Sequence, residues 1–386
     1  MDNRAILYLI DSLNIGGAER SLLEIVTRFT RFKAVICHVY PGDTLKKEFE
    51  SKGVEVISLN IPLPYNLKKA EAALRSVVER VQPTIIHSTL FKSDIISRRV
   101  APAMRIPLVN SLVNNSYHPS RFSHSGLVMI VKLKLLQWTD SRTARKVDLF
   151  ISNSETISHS NARALGIPLD KVSVIYRGRT ISDYNVTASE GILKRNEVGV
   201  GPHNFVILNV SRLIQRKGQM ELIRAFKVFL SDCPHAILLI AGDGHYAKEL
   251  SAEIERLGLQ DKVKMIGNRK DVPFLMKAAD CFAFPSHYEG LPGVLIEAML
   301  SRLPIAASRI PENLECVNAD CAYLFDARDK AGIVTALNGI FINREQAVEK
   351  AKVAYDIACA KFDIVNIVNQ YEDAYDNLLI KKRTKQ

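Results

Sequence analysis

No uninterrupted apolar run in this 386-residue chain approaches the roughly 20 residues needed to cross a bilayer. The six cysteines (Cys37, Cys233, Cys281, Cys316, Cys321 and Cys359) are scattered and never form a Cys-x-x-Cys pair. That favours reduced, mostly buried thiols over disulfides or a zinc cage. There is no Asp-x-Asp motif and no His/Cys cluster at ligand spacing, so neither a metal nor another cofactor is expected. The basic stretches carry no interleaved aromatic platform and there is no recognisable module, so nucleic acid is not expected as a partner. The opening residues, MDNRAILYLID, run straight into a strand-like segment. They lack the basic start, apolar run and cleavage site of a secretory signal, so the expected location is cytoplasmic.

What the chain does have is a globular composition, 47% hydrophobic and 24% charged, and a length that implies two or three domains. Its net charge of +11 is unevenly spread: residues 51–150 hold 15 Lys/Arg against 6 Asp/Glu. Such a basic half would attract an anionic partner, although a merely well-solvated surface is the alternative.

Short apolar, β-branched runs alternate with helical periodicity. Strands are predicted at Ala5–Ile10, Ala34–Tyr40, Val54–Leu59, Thr84–His87, Leu108–Val113, Leu149–Ser152 and Val172–Tyr176. After a polar stretch they resume at Phe205–Val210, Ala236–Ala241, Lys262–Ile266, Cys281–Phe284, Pro304–Ala307 and Ala322–Phe325. Continuous apolar strands separated by helices mean parallel sheets covered on both faces. The expected fold is α/β: two doubly wound, Rossmann-like domains facing across a cleft that takes the ligand. We assign 1–178 to an N-terminal domain, 179–204 to a linker and 205–360 to a C-terminal nucleotide-binding domain. The segment 361–386 is expected to be a helix packing back on the first domain.

Three stretches carry chemistry. Gly16-Gly17 lies where the first strand hands over to a helix, so the backbone can approach a ligand and the helix start can meet an anion. A plain tight turn explains the pair equally well, and its spacing is not the Gly-x-Gly-x-x-Gly of nicotinamide enzymes. In FVILNVSRLIQRKGQMELIRAF, Arg212 and Lys217 flank the carboxyl end of a strand and can clamp a diphosphate, or serve only in surface salt bridges. In FAFPSHYEGLPGVLIEAML, Glu289 follows a buried strand, and Gly290 to Gly293 form a turn with free amides at Gly290, Leu291 and Gly293. Glu297 lies one turn into the next helix, where a carboxylate can accept ribose hydroxyls.

The Glu–seven residues–Glu pattern (Glu289 to Glu297), SRLIQRKG at 211–218 and GGAE at 16–19 together resemble family 4 of the retaining glycosyltransferases, which have the GT-B fold. IIHSTLFKSD (85–94), VIYRGR (174–179), LLIAGDG (238–244) and KMIGNRKDV (264–272) agree in order, so the resemblance spans roughly 1–375. It implies that Arg212 and Lys217 contact the donor diphosphate. It also implies that Glu297 holds the ribose and that Glu289, with Gly290, Leu291, Gly293 and Val294, holds the transferred sugar. Gly267, Asn268 and Arg269 would border the base, and Gly16 and Gly17 would face the phosphates from the other domain. The chain departs from the family at one place: Val113, followed by Asn114, stands where many relatives have a donor-sugar histidine. His118 from the loop, or His87 pointing into the same cleft, is the candidate substitute, each with an ordinary structural reading beside it.

The resemblance implies transfer of a hexose from a UDP- or GDP-sugar to a glycan or lipid-linked acceptor, with retention, in surface polysaccharide or lipopolysaccharide synthesis. A nucleotide-sugar epimerase of the same fold and a non-catalytic scaffold remain alternatives. GLVMIVKLKLLQW (126–138), with Lys132, Lys134 and Trp138, would suit an interfacial helix on the cytoplasmic face of an anionic membrane. The alternative is a helix that simply packs on the sheet.

Overall fold

The computed structural model describes residues 4–62, 66–117 and 126–384. It divides into two compact units, Met1–Gly178 with Ile364–Gln386, and Arg179–Asp363.

Unit 1 runs β1 (Ala5–Ile10), α1 (Gly17–Val26), β2 (Lys33–His38), α2 (Lys46–Ser51), β3 (Glu55–Ser58), α3 (Leu67–Val81) and β4 (Ile85–Thr89). It continues with α4 (Phe91–Ala103), β5 (Leu108–Leu112), α5 (Leu127–Ala144), β6 (Leu149–Ser152), α6 (Glu155–Leu165) and β7 (Val172–Val174). The sheet is parallel in the order β3-β2-β1-β4-β5-β6-β7.

Unit 2 begins with α7 (Ala188–Glu197), β8 (Phe205–Val210), α8 (Gln219–Phe229), β9 (Ala236–Ala241), α9 (Ala247–Arg256), β10 (Val263–Met265) and α10 (Val272–Ala278). It ends with β11 (Cys281–Phe284), α11 (Gly293–Leu300), β12 (Ile305–Ser308), α12 (Pro311–Leu314), β13 (Tyr323–Phe325), α13 (Lys330–Ile342) and α14 (Arg344–Phe362). Its parallel sheet has the order β10-β9-β8-β11-β12-β13. The chain then returns to unit 1 as α15 (Ile364–Arg383).

The thirteen strands among the described residues lie where the apolar runs predicted them, with ends displaced by two residues at most. The cause is burial: every residue of β1 (AILYLI) and β9 (AILLIA) is buried, because parallel strands covered on both faces must be apolar on both. Five of the six cysteines are buried free thiols, and burial pushes Cys37 up to about 12. Among the described residues, no helix is long and apolar enough to cross a membrane.

The polar stretch 179–204 is not open chain throughout. Thr187 and Glu190 form a reciprocal capping box that opens α7, which packs on α10. Only Gly191 of α7 is buried, so no apolar stripe marks this helix in the sequence. In α15, Glu372 is fully buried and accepts hydrogen bonds from the Thr30 and Arg31 amides at 2.9 and 2.6 Å. The Tyr375 hydroxyl of the same helix bonds that of Tyr8 on β1.

Candidate functional site

The loops that leave the carboxyl ends of β8 and β11 touch each other. Gly218, with φ +73°, has no room for a side chain: a Cβ there would lie 2.1 Å from the Pro285 carbonyl oxygen. That approach sets Lys217, at the end of one loop, against Glu289 in the other. The Lys217 amine is 2.5 Å from Glu289 Oε1, and the Arg216 guanidinium is 3.4 Å from Oε2. Arg216 also donates to the Tyr288 carbonyl at 2.6 Å, with its guanidinium over the Tyr288 ring. Buried Gln219 pins the loop by donating to Ser211 Oγ and to the Arg212 carbonyl.

Burial works against the charge on Glu289, which is 6% exposed, but Lys217 and Arg216 outweigh it and hold the carboxyl below its ordinary value. Burial also draws Lys217 below the ordinary lysine value; Glu289 opposes this, and neighbouring Arg216 and Arg212 add to it. Glu289 is therefore a buried, ionised acceptor. The Arg212 side chain is exposed and ion-paired with no described residue. The β11 loop then enters α11 at Gly293, and the amides of Gly290, Leu291 and Gly293 take no acceptor among the described residues. One ionised carboxylate, three cations and a helix start can together hold a diphosphate and bond sugar hydroxyls.

Glu297, one turn along α11, is already engaged. Arg179 donates to its Oε1 from two nitrogens, at 3.0 and 2.9 Å, and both side chains are less than a fifth exposed. Gly293 makes room for this arginine, since a Cβ there would lie 2.2 Å from the guanidinium. Half-buried Tyr184 sits beside the pair. The Gly267 carbonyl accepts from the Gly242 amide at 2.7 Å, joining two further loops. Asn268 is exposed, whereas the Arg269 guanidinium is held by Asp271 and Glu197.

Unit 1 supplies the other candidates. Gly16 caps α1 with extended backbone, and the Arg177 guanidinium lies against Gly17. Asn114 is exposed just past β5, its carbonyl accepting from Asn161. His118 lies outside the described residues. His87 is not presented to an open site as its place at a strand end suggested. It is 1% exposed, with Nδ1 2.7 Å from the Tyr375 hydroxyl and Nε2 2.7 Å from Ser111 Oγ, and its ring stacks on Tyr8. Burial lowers its pKa to about 3. The open volume beside it is about 40 Å³.

A larger cavity, about 240 Å³, lies at the carboxyl end of β5, between Leu112 to Asn114 and the helices α4, α5 and α6. Its floor is a buried charge network. Arg98, 1% exposed, donates to Asn110 at 2.6 Å and to Asp140 at 2.5 Å, while the Tyr117 hydroxyl donates to the other Asp140 oxygen at 2.6 Å. Asp94 accepts from Ser88 and is pushed up to about 7 by burial, against the pull of Arg98. Sequence reasoning missed this network, although Asp94 and Arg98 stand four apart on one helix face. It missed Arg216, Arg177 and Arg179 too, although the first stands in SRLIQRKG (211–218) and the other two in VIYRGR (174–179). Among the described residues, no group of three His, Cys, Asp or Glu side chains is placed to hold a metal ion.

Residues 15–182 match the model of Glycosyltransferase Family 4, and residues 193–356 match that of Glycosyl transferases group 1. An Escherichia coli UDP-Gal:alpha-D-GlcNAc-diphosphoundecaprenol alpha-1,3-galactosyltransferase is 25% identical over 348 residues, 89% of this chain and 87% of that protein. The capsular polysaccharide biosynthesis glycosyltransferase CapH of Staphylococcus aureus is 25% identical over 80% of this chain and 82% of its own. The crystal structure of Anabaena Alr3699/HepE in complex with UDP-glucose is 27% identical, with TM-score 0.84 over 97% of this chain and 99% of that one. With two parallel sheets, the paired loops of unit 2 and both halves matched, this chain belongs to the group 1/family 4 glycosyltransferases, and it is an enzyme of that class.

Proposed function

We propose that the enzyme moves a hexose from a UDP-sugar to a hydroxyl of a lipid-linked glycan, with retention, at the cytoplasmic face of the membrane during surface polysaccharide or lipopolysaccharide assembly. The observation that carries this reading is buried, ionised Glu289, held by Lys217 and Arg216 at the entrance to α11 beside unpaired Arg212. The uridine donor is supported by the UDP-glucose held by the Anabaena protein, and the lipid-linked acceptor by the name of the Escherichia coli relative.

In this scheme the donor diphosphate lies against Arg212, Lys217 and the free amides of Gly290 to Gly293. The C1–O bond to phosphate breaks, and the electron pair leaves with UDP. The acceptor oxygen forms the new C1–O bond on the same face, and its proton passes to the departing phosphate oxygen. Glu289 bonds sugar hydroxyls and orients C1. The cations and helix amides stabilise the charge growing on UDP, an effect worth several kcal/mol in preorganised sites. The 240 Å³ cavity of unit 1, polar at its floor and apolar along Leu112, Leu133 and Leu136, suits the head of the acceptor.

Thermal shift against UDP, GDP and ADP tests the donor site. UDP alone should stabilise the wild type, by about 2.7 kcal/mol at a hundred times its dissociation constant. Lys217→Ala should abolish the response. Equal responses to all three nucleotides, or none, would overturn the assignment.

A further inference from the structure

The helix α5 is apolar on two opposite faces, and the fold uses only one of them. Leu133, Asp140 and Ala144 are buried on the inner side. On the outer side Leu127, Val131, Leu135 and Trp138 follow one another at intervals of four, four and three residues, forming one stripe. Their exposures are 77%, 60%, 62% and 57%, and neighbouring Val128 is 85% exposed. A contiguous apolar surface of this kind marks a contact with something else.

Charge says what that something is. Lys132, Lys134, Arg142, Arg145 and Lys146 are all exposed on or just beyond this helix, and none is ion-paired with a described residue. The Arg142 guanidinium lies over the Trp138 ring, 5.1 Å from its centre. The one acid of the helix, Asp140, is on the buried side and satisfied by Arg98 and Tyr117. The outer face is thus apolar and cationic, with no carboxylate on it. A second copy of the chain would bring the same cations against themselves, which argues against self-association through this face.

We infer that the outer face of α5 docks on an anionic bilayer, lying in the interface rather than spanning it. Leu127, Val131, Leu135 and Trp138 enter the boundary between headgroups and acyl chains, and the lysines and arginines meet lipid phosphates. The inner face of the same helix lines the 240 Å³ cavity through Leu133, Leu136 and Asp140. A headgroup entering that cavity therefore comes from the surface on which the helix rests. This purpose rests on the lipid-linked acceptor reading; the docking surface itself rests on exposure and charge.

Trp138 is the only tryptophan of the chain, so its emission reports this face directly. With vesicles rich in phosphatidylglycerol at low salt, the emission should shift to the blue and be quenched by brominated acyl chains, while vesicles of phosphatidylcholine alone should do neither. The exposed-site variant Val131→Glu/Leu135→Glu should lower co-sedimentation with anionic vesicles by about tenfold or more, and raised salt should weaken binding of the wild type. No shift and no co-sedimentation with anionic vesicles would overturn the inference. So would a shift that follows protein concentration without lipid, which would assign the face to a second copy. UDP-dependent thermal stabilisation, measured on the same variant, keeps the two readings apart. Lost vesicle binding in the wild type with an intact UDP response sinks only the surface, and a missing UDP response sinks the donor site.

Discussion

Lys217 and Glu289, 72 residues apart in sequence, form a buried ion pair with 2.5 Å between amine and carboxylate. Because the two side chains are only 11% and 6% exposed, the pair has two separable roles. Lys217→Met should cost about 3 kcal/mol in chemical denaturation, since it strips a buried carboxylate of its principal partner. The double variant Lys217→Met/Glu289→Gln should recover most of that stability and none of the activity. Glu289→Gln alone should lower kcat/KM by about 10²- to 10³-fold, with UDP affinity by calorimetry changed far less.

Acid should weaken unit 1 through His87. Its folded pKa is about 3, against about 6.5 in an unfolded chain. Between those values the unfolded chain takes up a proton that the folded protein refuses. This contribution is therefore lost as pH falls below 6.5, by up to about 1.4 kcal/mol per pH unit. Asp94 works the other way: its folded value is about 7 against 3.8, so its contribution is present at low pH and lost as pH rises towards 7. The difference between wild type and His87→Gln isolates the histidine, and the variant should show the flatter loss of stability on acidification. Equal slopes would mean that His87 is not buried neutral.

Glu372 should matter as much as a core residue although it lies on α15, far in sequence from the strands of unit 1. It is fully buried and accepts from both the Thr30 and the Arg31 amides. Glu372→Ala leaves those donors unpaired and should cost about 3 kcal/mol by denaturant titration. Glu372→Gln, which keeps one acceptor oxygen, should cost less.

The sheets were legible in the sequence because their inner strands, such as β1, β9 and β11, are apolar runs that burial on both faces demands. α7 was not, since it buries only Gly191 and is held by its Thr187/Glu190 cap. Glu289 and Lys217 were legible through motif spacing, but their pairing was not: it depends on the Gly218–Pro285 approach, which is tertiary. Arg179 on Glu297 escaped for the same reason. The burial of His87 was not legible, because a histidine ending a strand looks open until Tyr375, 288 residues further on, bonds its Nδ1.

The return of α15 to unit 1 has a consequence for synthesis. Domains commonly fold as they emerge from the ribosome, the first-made first. Here Arg179–Asp363 is contiguous, whereas the earlier unit draws on Ile364–Arg383 for Tyr375 and Glu372. The later-made unit can therefore complete its core first, while the nascent earlier one waits with the Tyr8 hydroxyl and the Thr30 and Arg31 amides unpaired until Glu372 and Tyr375 of α15 have been translated.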